Sequence, residues 1–342
     1  MSVRRWSVML AGLMLVAGCS PRPEDWRSHT DTDAAQLAVE TALRDIDPCG
    51  FVDADLLKAK IPRAISYGYT DGFDRCTLRL GAFDGDFPSD VSATIGFDLE
   101  PEPGQLVEQP TDSREVNGIV VSHVLGPTSN RGWCRYVFTL NASDAPGIAS
   151  QDGAAELMKR VRVSVVATLS RDPGPGLPIY PCQEAITIAT GAAQIRSRHL
   201  PRRPDHGPAG QDPCSVFPDL RGFTSYRPGG IGIGAGLYSC AFSSGPPADP
   251  KTRRTLLTVR PVDARQHGDE FHSETQHGVA LEIRGSACEV VVRGDAQVVP
   301  IYFDPKAGDA ADVLLTGVEV TGASCEGNKA VAVAAGKRFG QP

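Results

Sequence analysis

Apolar and polar residues alternate at two periods along the chain, and each period predicts one type of element. Between residues 35 and 46, apolar side chains recur every three or four positions, which predicts a helix with one buried face. Asp33 is suited to cap the first turn, and Pro48 prevents the helix from continuing. The chain is therefore predicted to form an amphipathic helix from 33 to about 46.

Strands are predicted where β-branched and aromatic residues cluster between turn residues. In the first half of the chain, these segments are 76–82, 91–99, 118–125 and 134–140, followed by a helix near 152–162, a stretch 163–169 that fits either state, and a helix after Cys182. In the second half, the strands are 237–243, 254–261, 278–284, 288–293 and 298–303, with a short helix near 309–315 and a helix after Cys325. This order predicts an α+β fold, with mainly antiparallel sheets and helices packed on one face.

The N-terminus has the pattern of an export signal, predicted over residues 1–18. Arg4 and Arg5 precede an apolar run, Val8 to Ala17, that is shorter than the roughly 20 residues of a membrane span. The run ends in Val16-Ala17-Gly18-Cys19, which matches the lipobox of bacterial lipoproteins. An ordinary signal peptide with a chance cysteine is the alternative, and the arginine pair leaves Sec and twin-arginine export both open.

The lipobox predicts that Cys19 carries a diacylglyceryl group and becomes the first mature residue. Two or more acyl chains anchor a protein stably, so the predicted location is the extracytoplasmic face of the cell membrane. Residues 19–33 would form the tether. The 342 residues suggest roughly two domains, and the net charge of −7 disfavours nucleic acid as a partner. No later apolar stretch approaches spanning length.

Besides Cys19, the chain has eight cysteines, an even number that favours disulfides in an oxidising compartment. They are Cys49, Cys76, Cys134, Cys182, Cys214, Cys240, Cys288 and Cys325. Zinc is the alternative, but no C-x-x-C pair occurs and every spacing exceeds twenty residues. No metal and no cofactor are therefore predicted.

The eight cysteines form two sets of four with similar spacing, and neighbouring residues repeat as well. Asp47-Pro48-Cys49 opens the first set, and Asp212-Pro213-Cys214 opens the second. We interpret this as two tandem copies of one domain, 34–198 and 212–340, joined by an exposed linker at 199–211. Three pairings are open within each set. We favour first with second and third with fourth: Cys49–Cys76, Cys134–Cys182, Cys214–Cys240 and Cys288–Cys325.

The lipobox followed by Asp-Pro-Cys resembles the Asp-Pro-Cys cell-envelope lipoproteins of actinobacteria, a family of unknown function. The matching residues are 47–52 and 212–217, with a further cysteine inside a strand at Cys76 and Cys240. The four-cysteine layout is also similar, more weakly, to extracellular sensor domains of mycobacterial receptor kinases. Members usually carry one copy, and their Leu-Leu-Thr after the motif is absent here. The resemblance implies a location and a fold class, and it implies no activity.

No nucleophile elbow, zinc-protease motif or phosphate-binding loop is present, so no catalytic residue is predicted. Weaker features are interpreted as loops and turns: His267, His272 and His277 with Asp269 or Glu270, the glycine-rich run Arg227–Gly236, and Asp84, Asp86 and Asp90. Asp71, Asp74 and Arg75 fit an exposed turn or the edge of a cleft.

These observations predict a non-catalytic binding or sensing module of the cell envelope, anchored in the membrane by its lipid. Its partner would be an envelope protein or a small ligand. The alternatives are a structural or assembly subunit of an envelope complex and an envelope hydrolase. Clustered carboxylates in a deep pocket would favour the hydrolase.

Overall fold

The computed structural model describes residues 34–82, 90–100, 110–124, 132–170, 181–203, 208–232, 236–245, 253–264, 271–298, 300–303 and 313–339. Within these residues the fold is α+β, with two sheets whose registered strand pairs are all antiparallel. Four disulfides join the eight described cysteines in the favoured pairing. The predicted α+β class, the antiparallel sheets and the disulfide bonds are confirmed.

Most elements of the first half lie near their predicted positions. Its helices are α1 (Ala34–Arg44), α2 (Ala54–Lys60), α3 (Ala154–Lys159) and α4 (Cys182–Arg198). Its strands are β1 (Ala64–Gly68), β2 (Arg75–Ala82), β3 (Asp90–Leu99), β4 (Pro110–Val116), β5 (Ile119–Val124), β6 (Trp133–Thr139) and β7 (Val161–Leu169). The ambiguous stretch 163–169 is strand, because β7 pairs with β3 on one side and with β6 on the other and buries Val161, Val163 and Val165 on one face.

The second half has eight strands and one long helix among its described residues. The strands are β8 (Ser225–Pro228), β9 (Ser239–Ser243), β10 (Arg254–Asp263), β11 (Phe271–Gln276), β12 (Val279–Arg284), β13 (Glu289–Val298), β14 (Ile301–Tyr302) and β15 (Leu314–Gly322), followed by α5 (Cys325–Phe339). The helix predicted near 309–315 is wrong where it is described, because Leu314 begins β15. Residues 304–312 lie outside the described residues.

Both sheets place their strands in the same order. The first runs β1-β2-β3-β7-β6-β5-β4, and the second runs β8-β9-β10-β15-β13-β12-β11. A helix follows the last strand of each half. Helix α4 packs on β5, β6 and β7, and α5 packs on β10, β12, β13 and β15. The disulfides also occupy equivalent places, because Cys182 and Cys325 are the first residues of α4 and α5.

The two halves share the same hairpin turns and 3₁₀ turns. Asn117-Gly118 joins β4 to β5 and His277-Gly278 joins β11 to β12, with positive φ at all four residues, as the twist of a two-residue hairpin requires. The carboxylates of Asp47 and Asp212 accept the amides of Cys49 at 2.8 Å and of Cys214 at 3.0 Å. The Asp-Pro-Cys motif is therefore a turn-capping device that presents its cysteine to the neighbouring strand.

One strand crosses from the second half to the first sheet. β14 adds to the edge of β1, with Ser66 opposite Tyr302 and Tyr67 opposite Ile301. The ring centroids of Tyr67 and Phe303 lie 5.5 Å apart beside this pairing. Backbone hydrogen bonds of β14 therefore join the second half of the chain to the first sheet, in addition to the connecting chain.

The connecting chain is buried at two of its described positions, Pro201 and Arg203, so the prediction of an exposed linker is wrong there, whereas His199 and Arg202 are exposed. Pro201 is buried, and its carbonyl accepts the amide of Asp47 at 3.2 Å. The amide of Arg203 donates to the carbonyl of Asp45 at 2.9 Å. These backbone bonds hold the connection against the end of α1, because buried backbone groups must find partners.

Candidate binding groove and the domain interface

A groove of about 1040 Å³ runs along α5 in the second half of the chain. Its wall includes the turn residue His277 and the chain that follows the second Asp-Pro-Cys motif. The lining residues are Asp219, Leu220, Arg221, Gln276, His277, Glu326, Lys329, Ala330, Val333, Ala334, Lys337 and Arg338. An apolar strip of alanine, valine and leucine therefore lies between charged margins.

In the first domain the equivalent face of α4 is covered by α2. Gly191 lies nine residues after Cys182, and a Cβ there would lie 2.8 Å from Leu56 Cδ2 and 3.2 Å from Asp53 Cβ. Ala334 lies nine residues after Cys325 and lines the groove instead. The described part of the second domain has no helix between Leu220 and β8. The groove thus occupies the position that α2 fills in the first domain.

Cations predominate along the groove. Arg221, Lys337 and Arg338 have no ion-pair partner within the described part of the chain, whereas Lys329 pairs with Glu274 at 2.8 Å. Asp219 and Glu326 offset part of this charge. At the positions in α4 equivalent to Lys329 and Lys337, the first domain has Ile186 and Gln194. A groove of this composition favours a ligand that combines an apolar face with negative charge.

A second polar cluster is buried between the two halves of the chain and is centred on Arg203. Its guanidinium carbon lies 4.9 Å from the ring centroid of Tyr69, 5.5 Å from that of Phe73 and 5.8 Å from that of Tyr238. Its nitrogens donate to the carbonyl of Phe73 at 2.9 Å, to the hydroxyl of Tyr238 at 3.1 Å and to the carbonyl of Arg44 at 3.3 Å. Cation–π contacts and hydrogen bonds compensate for the burial of this charge.

Arg44 forms the adjoining part of the same cluster. It lies within 3.4 Å of Glu40 in its own helix and 3.5 Å from Asp212, the first residue of the second Asp-Pro-Cys motif. Its Nε also donates to the carbonyl of Leu237 at 3.4 Å. One guanidinium therefore bridges α1 to two segments of the second domain.

Asp74 is buried at this interface, so it is not the exposed turn that its sequence context predicted. It accepts a hydrogen bond from Arg75 Nε at 3.3 Å, while Asp71 remains exposed. Burial raises the pKa of Asp74, and the positive charges of Arg75 and Arg203 only partly oppose this effect. Burial likewise raises the pKa of Tyr238 to about 12, so its hydroxyl stays protonated and neutral.

The raised pKa of Asp74 predicts a pH-dependent response to Asp74→Asn. The folded chain favours the protonated acid, so ionisation costs stability as the pH rises above the ordinary value near 4. The asparagine variant avoids that cost. Its free energy of unfolding, relative to the native chain, should therefore increase from about pH 4 to about pH 7 in urea titrations. The control is the exposed Asp71→Asn, and a flat difference for Asp74→Asn would contradict the prediction.

The structure does not gather the other weak sequence features into a site. His272 is exposed on β11 and His277 lies in the groove wall, while His267, Asp269 and Glu270 are outside the described residues. The glycine-rich run Arg227–Gly236 leads from β8 towards β9, and its residues 233–235 lie outside the described residues. Asp90 begins β3, and Asp84 and Asp86 are outside the described residues, as is Cys19.

Sequence reasoning missed His123. Its Nε2 lies 3.3 Å from Cys134 Sγ, and Cys134 is bonded to Cys182. Among the described residues, these three form the single group of at least three side chains able to hold a metal ion, with ligand atoms within 4.8 Å of one another. In the disulfide form the two sulfurs are bonded to each other. The sequence does show His123 eleven positions before Cys134, but only the strand register brings the two together.

No protein-family model, curated protein or solved structure matches the chain. No helix among the described residues is both long and apolar enough to cross a membrane.

Proposed function

We propose that this protein is a lipid-anchored binding module of the cell envelope, built from two copies of one domain. Its second domain would capture an acidic, amphipathic segment of an envelope protein in the groove along α5. The observation that carries the proposal is the groove of about 1040 Å³ with unpaired cations at its margin, at the position where the first domain has its own helix.

The first domain supports a peptide as the ligand, because a short helix already occupies the equivalent surface. Helix α2 begins at the carboxylate of Asp53, which accepts the amide of Leu56 at 2.9 Å, and it packs Leu56 over Gly191. A partner segment in the second domain would contact Ala334 in the same way. Lys337 and Arg338 are adjacent to that contact and would select negative charge on the partner.

The identical strand order and the equivalent disulfides support the duplication. Seven strands of each half correspond in sequence and in sheet position, and both Asp-Pro-Cys turns are capped by their own aspartate. The lipobox at 16–19 and the resemblance to Asp-Pro-Cys lipoproteins support the membrane location. The alanine, valine and leucine side chains of the groove and the cations beside them support a binding role.

The binding proposal predicts that charge reversal in the groove weakens capture. The probe is a labelled synthetic peptide with leucines on one helical face and glutamates on the other, titrated against the detergent-solubilised chain by fluorescence polarisation. Lys337→Glu with Arg338→Glu should raise the dissociation constant about tenfold or more.

The matched control is Lys58→Glu with Lys60→Glu, which makes the same charge change on exposed positions of α2 and should leave the affinity unchanged. A second probe with lysine in place of glutamate should bind weakly. Equal binding of both probes, or an unchanged affinity for the groove variant, would refute the acidic-segment proposal.

A further inference from the structure

The Cys134–Cys182 disulfide has the surroundings of a reactive bond, in the first domain and apart from the groove. Cys134 lies in β6 and is almost fully buried, whereas Cys182 is partly exposed as the first residue of the long helix α4. An attacking thiol can therefore reach Cys182 more easily than Cys134. A helix N-terminus favours negative charge, so a thiolate released at Cys182 would be stabilised there.

His123 is held in position against the buried sulfur. Its Nε2 lies 3.3 Å from Cys134 Sγ, its Nδ1 lies 2.7 Å from Thr111 Oγ1, and its ring lies over Tyr136 with centroids 5.0 Å apart. A disulfide sulfur has no proton to donate, so in this contact Nε2–H is the donor and Sγ the acceptor. The donated hydrogen is thus already aimed at the sulfur that would leave.

The second domain contains a matched bond without the histidine. Ile283 lies opposite Val290 as His123 lies opposite Tyr136, and in each domain the paired residue is two positions after the third cysteine. Cys325, the first residue of α5, is exposed and so is more accessible than Cys182. If accessibility alone set the rate, Cys288–Cys325 would open faster than Cys134–Cys182. Assistance by His123 would instead make Cys134–Cys182 the faster bond.

We propose that Cys134–Cys182 is a redox-active disulfide that exchanges with an external dithiol, with His123 as its acid–base group. A thiolate of the dithiol attacks Cys182 Sγ and breaks the bond to Cys134. The imidazolium form of His123 transfers its Nε2 proton to the departing Cys134 thiolate, leaving a mixed disulfide at Cys182. The second thiol of the dithiol then attacks the dithiol's other sulfur, which is bonded to Cys182 in the mixed disulfide. This step closes the dithiol's disulfide and releases Cys182 as a thiolate.

Electrons and protons balance in this sequence. The partner dithiol loses two electrons and becomes a disulfide, and Cys134–Cys182 gains them and becomes two reduced cysteines. Glu184, an acid in the first turn of α4, forms an ion pair with Arg63, which offsets its charge near Cys182. The Cys214–Cys240 bond should react slowly, since both of its cysteines are buried. The Cys49–Cys76 bond joins a partly exposed to a buried cysteine, as Cys134–Cys182 does, but among the described residues no histidine donates to it, so it should also open more slowly.

The test is timed reduction of the oxidised full chain by dithiothreitol, followed by alkylation and mass spectrometry of each cysteine. Cys134–Cys182 should open about tenfold faster than Cys288–Cys325, because acid–base assistance outweighs the difference in access. His123→Ala should slow only the first bond, and the transient adduct should be found on Cys182. Cys288–Cys325 opening first in the native chain would overturn the proposal.

Ile283→His provides an independent variant if the His123 substitution impairs folding. It adds an imidazole at the position equivalent to that of His123, and it should accelerate opening of Cys288–Cys325 while leaving Cys134–Cys182 unchanged. Thermal melting of both variants separates a local effect from unfolding, since unfolding would accelerate all four bonds together. Unchanged rates in both variants would exclude a role for the imidazole.

Discussion

Replacing Arg203 with alanine should lower the free energy of unfolding by about 4 kcal/mol, one of the two largest effects expected for this chain. The substitution removes a cation packed against three aromatic rings and leaves the carbonyls of Phe73 and Arg44 without that donor at the domain interface. It also leaves space between Tyr69 and Tyr238 that the surrounding side chains fill only in part. Chemical denaturation followed by circular dichroism measures the loss.

Arg202→Ala is the matched control, because Arg202 is the adjacent residue and its side chain is exposed. That variant should change the unfolding energy by no more than about 0.5 kcal/mol. Arg203→Lys keeps the charge but loses the planar guanidinium and its several hydrogen-bond donors. The stability of this variant should therefore lie between those of the native chain and the alanine variant. A native-like transition for Arg203→Ala would show that this cluster does not stabilise the interface.

Cys19→Ser should abolish membrane attachment, which is the other large effect. The serine hydroxyl cannot replace the thiol in the predicted alkylation, so no diacylglyceryl group would be added. Each buried methylene contributes about 0.8 kcal/mol, and two chains separate stable anchoring from reversible contact. In cells fed a labelled fatty acid, the native chain should carry label and sediment with membranes, and the variant should do neither.

The control for anchoring is Ser20→Ala, which leaves the lipobox at 16–19 unchanged and should be labelled like the native chain. Absence of label on the native chain would refute the lipid anchor and, with it, the membrane location in the proposed function. Binding of the acidic probe peptide by the purified chain would be unaffected by that outcome. The two parts of the proposal therefore fail separately.

Much of the fold could be predicted because its signals are local. Strands such as Asp90–Leu99 begin with an alternation of buried and more exposed residues, and the helix after Cys182 has no breaker before its buried middle. The two sets of four cysteines predicted disulfides within each half, since each half has to fold as a unit, and the pairing that we favoured among the three is the observed one. The stretch 163–169 remained ambiguous because it directly follows a predicted helix and its mainly apolar sequence does not alternate strictly between apolar and polar residues.

The candidate sites depend on contacts between residues far apart in the sequence. The groove exists because α5 lacks the covering helix that α4 has, and the sequence after Asp219 shows no more than the absence of a helical pattern. His123 contacts Cys134 because of the register in which β5 pairs with β6. A shift of β5 by one residue would turn the His123 side chain to the opposite face of the sheet. Arg203 lies in a segment rich in proline and arginine, so its composition predicted exposure.

By itself, the sequence determined the even set of eight cysteines besides Cys19 and the α+β class, and it predicts the export signal and the anchor at Cys19, since these depend on composition, spacing and short-range periodicity. Only the tertiary structure decided that Pro201 and Arg203 of the connecting chain are buried, that Ile301–Tyr302 joins the first sheet, and that an open groove runs along α5. These features depend on which of several distant segments packs against a given buried surface, and short-range sequence patterns do not predict that choice.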